Sequence, residues 1–253
     1  MSRSTDRPPG PVMRRLDPED RYGLRLTLLA VALVLVAVPF GLLLDQVVRD
    51  GPLVRVDTSA ANDLHGWVRG SPSALRVLKV VSFAGSPPWL AVVVVAAVAY
   101  VLRRRRVRLA VFLVATTLAG GLIDTVVKIA VDRDRPSLDA PVATAHGQSF
   151  PSGHAMSSTI AYGALLLVLL PALPPRARRP AVAGVVVLVA AIGFSRLALG
   201  VHYITDVLGG YALGLAWLAA STAAFSVWRV ERGRKPVEPL TGLEPEAGAD
   251  LRP

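Results

Sequence analysis

Three short stretches of this 253-residue chain carry residues able to do chemistry: Lys128 with Arg135-Pro136, Pro151-Ser152-Gly153-His154, and Ser195-Arg196 followed by His202 and Asp206. They gather three cations, two imidazoles, a carboxylate and two hydroxyls at the borders of strongly apolar segments. Charge is costly there, so an ionisable side chain in such a place needs a partner or a purpose. Three cations with two histidines suit the holding and cutting of a phosphate.

His202 and Asp206 are four residues apart, on one face if a helix starts here. A carboxylate bonded to one ring nitrogen fixes the tautomer and leaves the other nitrogen free as a nucleophile. The same carboxylate stabilises the imidazole as it gains positive charge. An interfacial His-Asp pair that satisfies a helix terminus would have the same spacing. In Pro151-Ser152-Gly153-His154, Ser152 takes an N-cap position, and the free amides of the following turn form an anion site. Gly153 lets the backbone approach a ligand closely, and His154 is then placed to protonate a leaving oxygen. A plain Ser-capped helix start reads the same in isolation. Arg135 and Arg196 can grip phosphate oxygens bidentately, and Lys128 adds a compact charge. Singly, each cation could snorkel to the interface. Their convergence with two histidines favours phosphoryl transfer, which depends on positioning and charge neutralisation.

These residues need elements to hold them. The chain is 53% hydrophobic and 18% charged, with a positive mean hydropathy. Apolar windows near the ~20 residues that span a bilayer recur along it. The expected fold is all-α: a polytopic membrane protein in one six-transmembrane-helix bundle. Spans are expected over about 24–44, 80–102, 109–129, 156–173, 181–199 and 203–228. The second is interrupted by Gly85-Ser86-Pro87-Pro88, which should bend or break it near one interface. A short helix is expected around Ala60–Val68, within the mixed segment 45–76. Residues 1–22 and 229–253 mix Pro, charge and Gly without apolar period and are expected to be disordered cytoplasmic tails flanking a membrane domain over 23–228. Gly210-x-x-x-Gly214, with Gly209, permits close helix contact, a weak signal for dimerisation on its own. The chain holds no cysteine, which excludes disulfides and thiolate chemistry.

The net charge of +10 does not point to nucleic acid. Basic residues cluster beside apolar segments, as in Arg103-Arg104-Arg105-Arg106-Val107-Arg108, and aromatics are only 6%. Juxtamembrane runs of this kind orient spans and touch anionic lipid. With six spans, 19 of the 28 basic residues share one side with both termini. The positive-inside rule then places both termini in the cytoplasm and all three chemical stretches at the external face of the plasma membrane.

Lys128-x6-Arg135-Pro136, Pro151-Ser152-Gly153-His154 and Ser195-Arg196-x5-His202-x3-Asp206 together resemble the type 2 phosphatidic acid phosphatase (PAP2) superfamily in order, residue type and spacing. The resemblance runs from about residue 24 to 228. It implies a six-helix membrane core and a reaction without metal or other cofactor. It implies His202 as the nucleophile that forms a phosphohistidine, Asp206 as its orienting acid and His154 as the proton donor. Lys128, Arg135, Ser152, Gly153 and Arg196 are the phosphate binders it implies. One departure is Asp134, where many relatives have proline.

Asp132 and Asp134 are better explained as solvated loop charges than as a metal pair. Asp124, one turn before Lys128, is expected in an intrahelical ion pair. His146 is taken as a loop residue. His65, with Asp63 and Trp67, fits an interfacial amphipathic segment and is given no catalytic role. The expected activity is removal of a terminal phosphate from a lipid phosphate or diphosphate, with a polyprenyl diphosphate, phosphatidic acid and phosphatidylglycerol phosphate as equal candidates. The competing classes are a lipid-diphosphate-dependent phosphotransferase, a relative of vanadate-dependent haloperoxidases, and a lipid-binding scaffold. The expected partners are the lipid substrate and membrane lipids; no oligomeric state follows.

Overall fold

The computed structural model describes residues 38–49, 51–233, 237 and 241–251. Every regular element among them is helical. The described part of α1 is Val38–Val48, followed by α2 (Pro52–Arg69), α3 (Pro72–Phe83), α4 (Pro87–Arg103) and α5 (Val107–Val131). A loop leads to α6 (Gly153–Leu169), a short 3-10 turn (Leu170–Ala172), α7 (Pro175–Ala198) and α8 (Ile204–Glu231). Proline opens α2, α3, α4 and α7 in the first turn, where its missing N–H costs nothing and its fixed φ suits the helix. Asp132 ends α5 in the left-handed region at φ 48°.

Among the described residues, four helices are long and apolar enough to cross a membrane: α5, α6 with its 3-10 turn, α7 and α8 up to Val230. The break at Gly85-Ser86-Pro87-Pro88 bends α3 against α4 by 45°, and the pair counts as a fifth span if taken together. The expected span over 24–44 lies mostly outside the described residues, and the tail over 1–22 lies wholly outside them.

α6 is the hub of the bundle and packs on α4, α5, α7 and α8. Its span is 56% buried, against 22% for α8, so the residues it carries are screened from lipid on most sides. The α6–α8 contact is close because Gly210 and Gly214 face α6. A Cβ at Gly210 would lie 2.7 Å from the Ser152 carbonyl oxygen, and one at Gly214 would lie 2.9 Å from Thr159 Cβ. The small-residue motif is therefore used inside the chain, to bring the helix that starts near His202 against the helix that starts near His154.

Two apolar clusters fix the ends. At the end bearing the chemical stretches, Val68, Leu78, Ala198, Leu199 and Val201 pack together and pin the turn that follows α7. At the other end Val101, Leu109, Phe112, Leu113 and Val168 pack with Leu243, Ala247 and Leu251. Within the range 229–253, expected as a disordered tail, the described residues differ from that expectation. α8 continues to Glu231, and residues 241–251 are docked on the bundle. Three apolar side chains at a four-residue spacing supply the buried face. Arg229 pairs with Glu246 at 2.8 and 3.1 Å, Arg106 pairs with Asp250, and the Leu243 N–H donates to Leu167 O at 3.0 Å.

Candidate active site

The stretches far apart in sequence meet at one end of the bundle. His202 sits in the turn before α8 and is 3% exposed, Asp206 in the first turn of α8 is fully buried, and Arg196 near the end of α7 is 8% exposed. Lys128 comes from the last turn of α5, and His154 from the first turn of α6. The Ser152 N–H donates to the Asp206 carbonyl at 2.9 Å, a Cβ on Gly153 would stand 3.0 Å from Lys128 Nζ, and Arg135 Nη1 lies 3.1 Å from His202 Nε2, so the stretches bearing the two imidazoles and the cations adjoin one another.

His202 is held on both ring nitrogens. Nδ1 faces Asp206 Oδ2 at 3.4 Å, and Arg135 Nη1 approaches Nε2 at 3.1 Å. A guanidinium can only donate, so Nε2 accepts and the ring proton lies on Nδ1 toward the carboxylate. That is the tautomer a nucleophilic imidazole requires. Burial pushes the His202 pKa down to about 4; Asp206 opposes the shift, and Arg135 and Arg196 add to it. The ring is therefore neutral at pH 7.

Asp206 is fixed by more donors than His202 alone. The Tyr203 N–H reaches Oδ2 at 2.8 Å, Ser149 donates its hydroxyl to Oδ2, and Arg133 Nη1 lies 2.6 Å from Oδ1. Arg135 is half-buried by the loop it organises. It donates to the carbonyls of Gly147 (2.9 Å), Val201 (2.7 Å), His146 (3.2 Å) and Gln148 (3.0 Å). This burial holds its pKa below the ordinary arginine value, against the pull of Asp206 and Asp124.

The α6 N-terminus forms the opposite wall. Ser152 is the N-cap residue, but its side chain caps nothing; its Oγ is buried and without a hydrogen-bond partner. Arg196 gives Nη1 to Ser82 Oγ at 2.6 Å, while its Nε is buried and unpartnered. Buried polar atoms are normally satisfied, so these two orphan donors are candidates for holding a ligand. Gly153 must be small: a Cβ there would stand 3.0 Å from Lys128 Nζ and 3.1 Å from Asp124 Oδ2. The Asp124–Lys128 ion pair is present at 2.5 Å.

Several residues escaped the sequence reading. Asp57, on α2, is 1% exposed and accepts from Arg133 Nη2 at 2.9 Å and from the Thr205 N–H at 3.0 Å. Ser149, Arg133 and Thr205 complete the same network. The signal available was the face of α2: Asp57, Ala61, His65 and Val68 recur at helical spacing, and all four are buried. Asp63 and Trp67, singled out from the sequence, are on the exposed side. His65 faces inward, its Nε2 2.9 Å from the Asp139 carbonyl, rather than an interface. Asp134 and His146 are exposed, and Asp132 accepts a hydrogen bond from Gln148 at 3.2 Å.

Comparison with known proteins supplies a family context. Residues 108–229 match the model of the PAP2 superfamily. Phosphatidylglycerophosphatase B of Bacillus subtilis is 39% identical over 98 residues, which are 37% of this chain and 47% of that protein. Decaprenylphosphoryl-5-phosphoribose phosphatase of Mycobacterium tuberculosis is 36% identical over 133 residues, 50% of this chain and 65% of that one. Its namesake from Mycolicibacterium smegmatis is 36% identical over 167 residues, 64% of this chain and 81% of that one. The chain thus spans less than two thirds of the first two relatives. In fold it is similar to the crystal structure of a transmembrane PAP2 type phosphatidylglycerolphosphate phosphatase from Bacillus subtilis. The TM-score is 0.66 at 24% identity, covering 85% of this chain and 98% of that one.

Proposed function

This chain belongs to the PAP2 superfamily, and from that premise we propose that it is an integral-membrane lipid phosphatase working through a phosphohistidine on His202. The observation that carries the proposal is His202 itself, buried between the Asp206 carboxylate on Nδ1 and the Arg135 guanidinium on Nε2. A phosphate drawn to Lys128, Arg196, Ser152 and the α6 amides displaces the Arg135 Nη1 contact, and its oxygens take that donor over. His202 Nε2 then attacks phosphorus in line as the ester or anhydride oxygen departs. His154 gives that oxygen its proton. Asp206, bonded at Nδ1, balances the positive charge that the ring acquires. In the second half-reaction His154 takes a proton from water, which attacks phosphorus and frees His202 and inorganic phosphate.

The substrate class follows from where the site lies. A groove of about 480 Å³ between α4, α5 and α6 is lined by Leu90, Val94, Val98, Leu118 and Ile160. It reaches Gly121 and Ser157, one turn from Asp124 and His154. A lipid tail in it would leave its phosphate at the site. The relatives' names offer phosphatidylglycerophosphate and decaprenylphosphoryl-5-phosphoribose, to be tried beside phosphatidic acid and polyprenyl diphosphate. Six spans, cytoplasmic termini and an external site in the plasma membrane remain part of the proposal, supported by the basic-residue bias.

The test is phosphate release from these lipids by detergent-purified protein, with EDTA present. His202→Ala is expected to abolish turnover and to leave no acid-labile, base-stable phosphate on the protein, while its melting profile stays that of a folded chain. Full activity in purified His202→Ala protein would sink the mechanism.

A further inference from the structure

We infer that Asp57, on the amphipathic helix α2, is a positioning residue for the His202–Asp206 dyad, acting through Arg133; the inference rests on the phosphatase reading above. Arg133 lies between two buried carboxylates, 2.9 Å from Asp57 Oδ2 and 2.6 Å from Asp206 Oδ1, and also donates to Thr205 Oγ1 at 2.7 Å. Asp57 in turn receives the Thr205 N–H at 3.0 Å and the Thr205 hydroxyl at 2.5 Å. It therefore caps the start of α8, the helix that carries Asp206, from a different part of the chain. Asp57 lies outside residues 108–229, the part that matches the family model.

The charge count explains why this matters. Two carboxylates share one guanidinium, which leaves one negative charge to face the imidazole. Burial pulls the Arg133 pKa down, but Asp206 and Asp57 more than reverse this, so its net shift is upward and the cation is permanent. Without Asp57 that cation has one carboxylate left to pair with, Asp206. The His202–Asp206 contact is already long at 3.4 Å, whereas Arg133 holds the other oxygen at 2.6 Å. A small rotation of the carboxylate toward Arg133 would break the dyad. The groups facing His202 would then be Arg135, Arg196 and His154, with Asp206 withdrawn. None of these stabilises the positive charge that His202 must acquire.

Asp57→Asn removes the charge and keeps the shape. In full-length purified protein, active sites are counted by stoichiometric orthovanadate binding, which reads the phosphate-binding cations rather than turnover. Expected is a loss in kcat per vanadate-binding site of roughly 10- to 100-fold, the scale seen when an outer-shell orienting group is lost. KM should stay within about threefold, since ground-state phosphate contacts are untouched. Arg133→Gln takes away the 2.6 Å hold on Asp206 Oδ1 and leaves that carboxylate free to turn from His202, so it should lose kcat likewise. The double variant should lose no more than the worse single one, because the two residues position Asp206 as a unit. A loss of vanadate sites with the per-site rate preserved would show a packing role only and overturn the inference, as would additive losses. Should Asp57→Asn not fold, Arg133→Gln carries the test, and a wild-type kcat in it refutes the proposal. Histidine ¹⁵N spectra give a readout free of turnover: His202 should be the Nδ1–H tautomer in the wild type and a mixture in Asp57→Asn. If the wild type hydrolyses no lipid phosphate, the phosphatase reading falls, and the tautomer alone decides this inference; an unchanged tautomer rejects it.

Discussion

Gly210→Ala is the sharpest test of how the bundle serves the site. A Cβ at position 210 would lie 2.7 Å from the Ser152 carbonyl oxygen, 3.0 Å from Ala155 Cβ and 3.2 Å from Met156 N. Two of these neighbours are backbone, which cannot rotate away. Reaching an ordinary contact near 3.4 Å requires α6 and α8 to part by about 0.7 Å at this level. Overpacking of this kind costs about 1–3 kcal/mol in stability. The catalytic cost should be larger in proportion, because His154 stands on one of these helices and His202-Asp206 on the start of the other. A misplacement of about 1 Å can cost 10²-fold in rate, so a kcat loss of roughly tenfold or more is expected. Gly214→Ala is the control: its Cβ would meet Thr159 Cβ at 2.9 Å one turn deeper. It should cost similar stability and less rate. The assay pairs phosphate release with thermal denaturation in the same detergent. Wild-type kcat in Gly210→Ala protein with a lowered melting temperature would refute the link between this packing and the site.

Other outcomes follow from the same geometry. His202, with its pKa pushed down to about 4 by burial, should stay neutral in a histidine NMR titration at pH 5–6, where a free imidazole protonates. The unfolded chain takes up a proton near 6.5 that the native ring refuses, so this group erodes stability as pH falls from about 6.5 toward 4 and contributes no slope above that window; flat stability over that range in denaturant titrations would contradict it. Lys128→Met should weaken vanadate binding and also destabilise the fold, since it strands Asp124, whose Oδ1 is already buried and unpartnered. Adding Asp124→Asn to that variant should restore the melting temperature without restoring vanadate affinity. Leu243→Asp places a charge at a fully buried position of the docked C-terminal segment. It should lower the melting temperature while kcat stays within about twofold, because the segment packs at the end opposite the site.

Local chemistry was readable in the sequence where it depends on local spacing. The i, i+4 relation of Asp124 to Lys128 survives into the structure because α5 enforces it. That of His202 to Asp206 survives because Asp206, in the first turn of α8, reaches back over the preceding turn and accepts the Tyr203 N–H. The break at Gly85-Ser86-Pro87-Pro88 was readable because proline and glycine act on their own backbone. The docked residues 241–251 were not, since their apolar positions are sparse and gain meaning only against α5 and the turn after α6. Arg135 shows the same limit. Its type and spacing point to phosphate, yet most of its donors organise the loop over 146–148.

The sequence by itself determined the apolar helices, the family and the three stretches in which two histidines, an acid and the cations are found. Helical periodicity and charge cost act along the chain, so they can be read along it. Only the tertiary structure decided what grips Asp206: Arg133 from 73 residues away, Ser149 from 57, and Asp57 behind Arg133, a further 76 residues back. Contacts across such separations carry no local pattern. They exist because Gly210 and Gly214 let α8 close on α6, and because α2 turns the face bearing Asp57 inward. A buried carboxylate must find its donors wherever packing brings them.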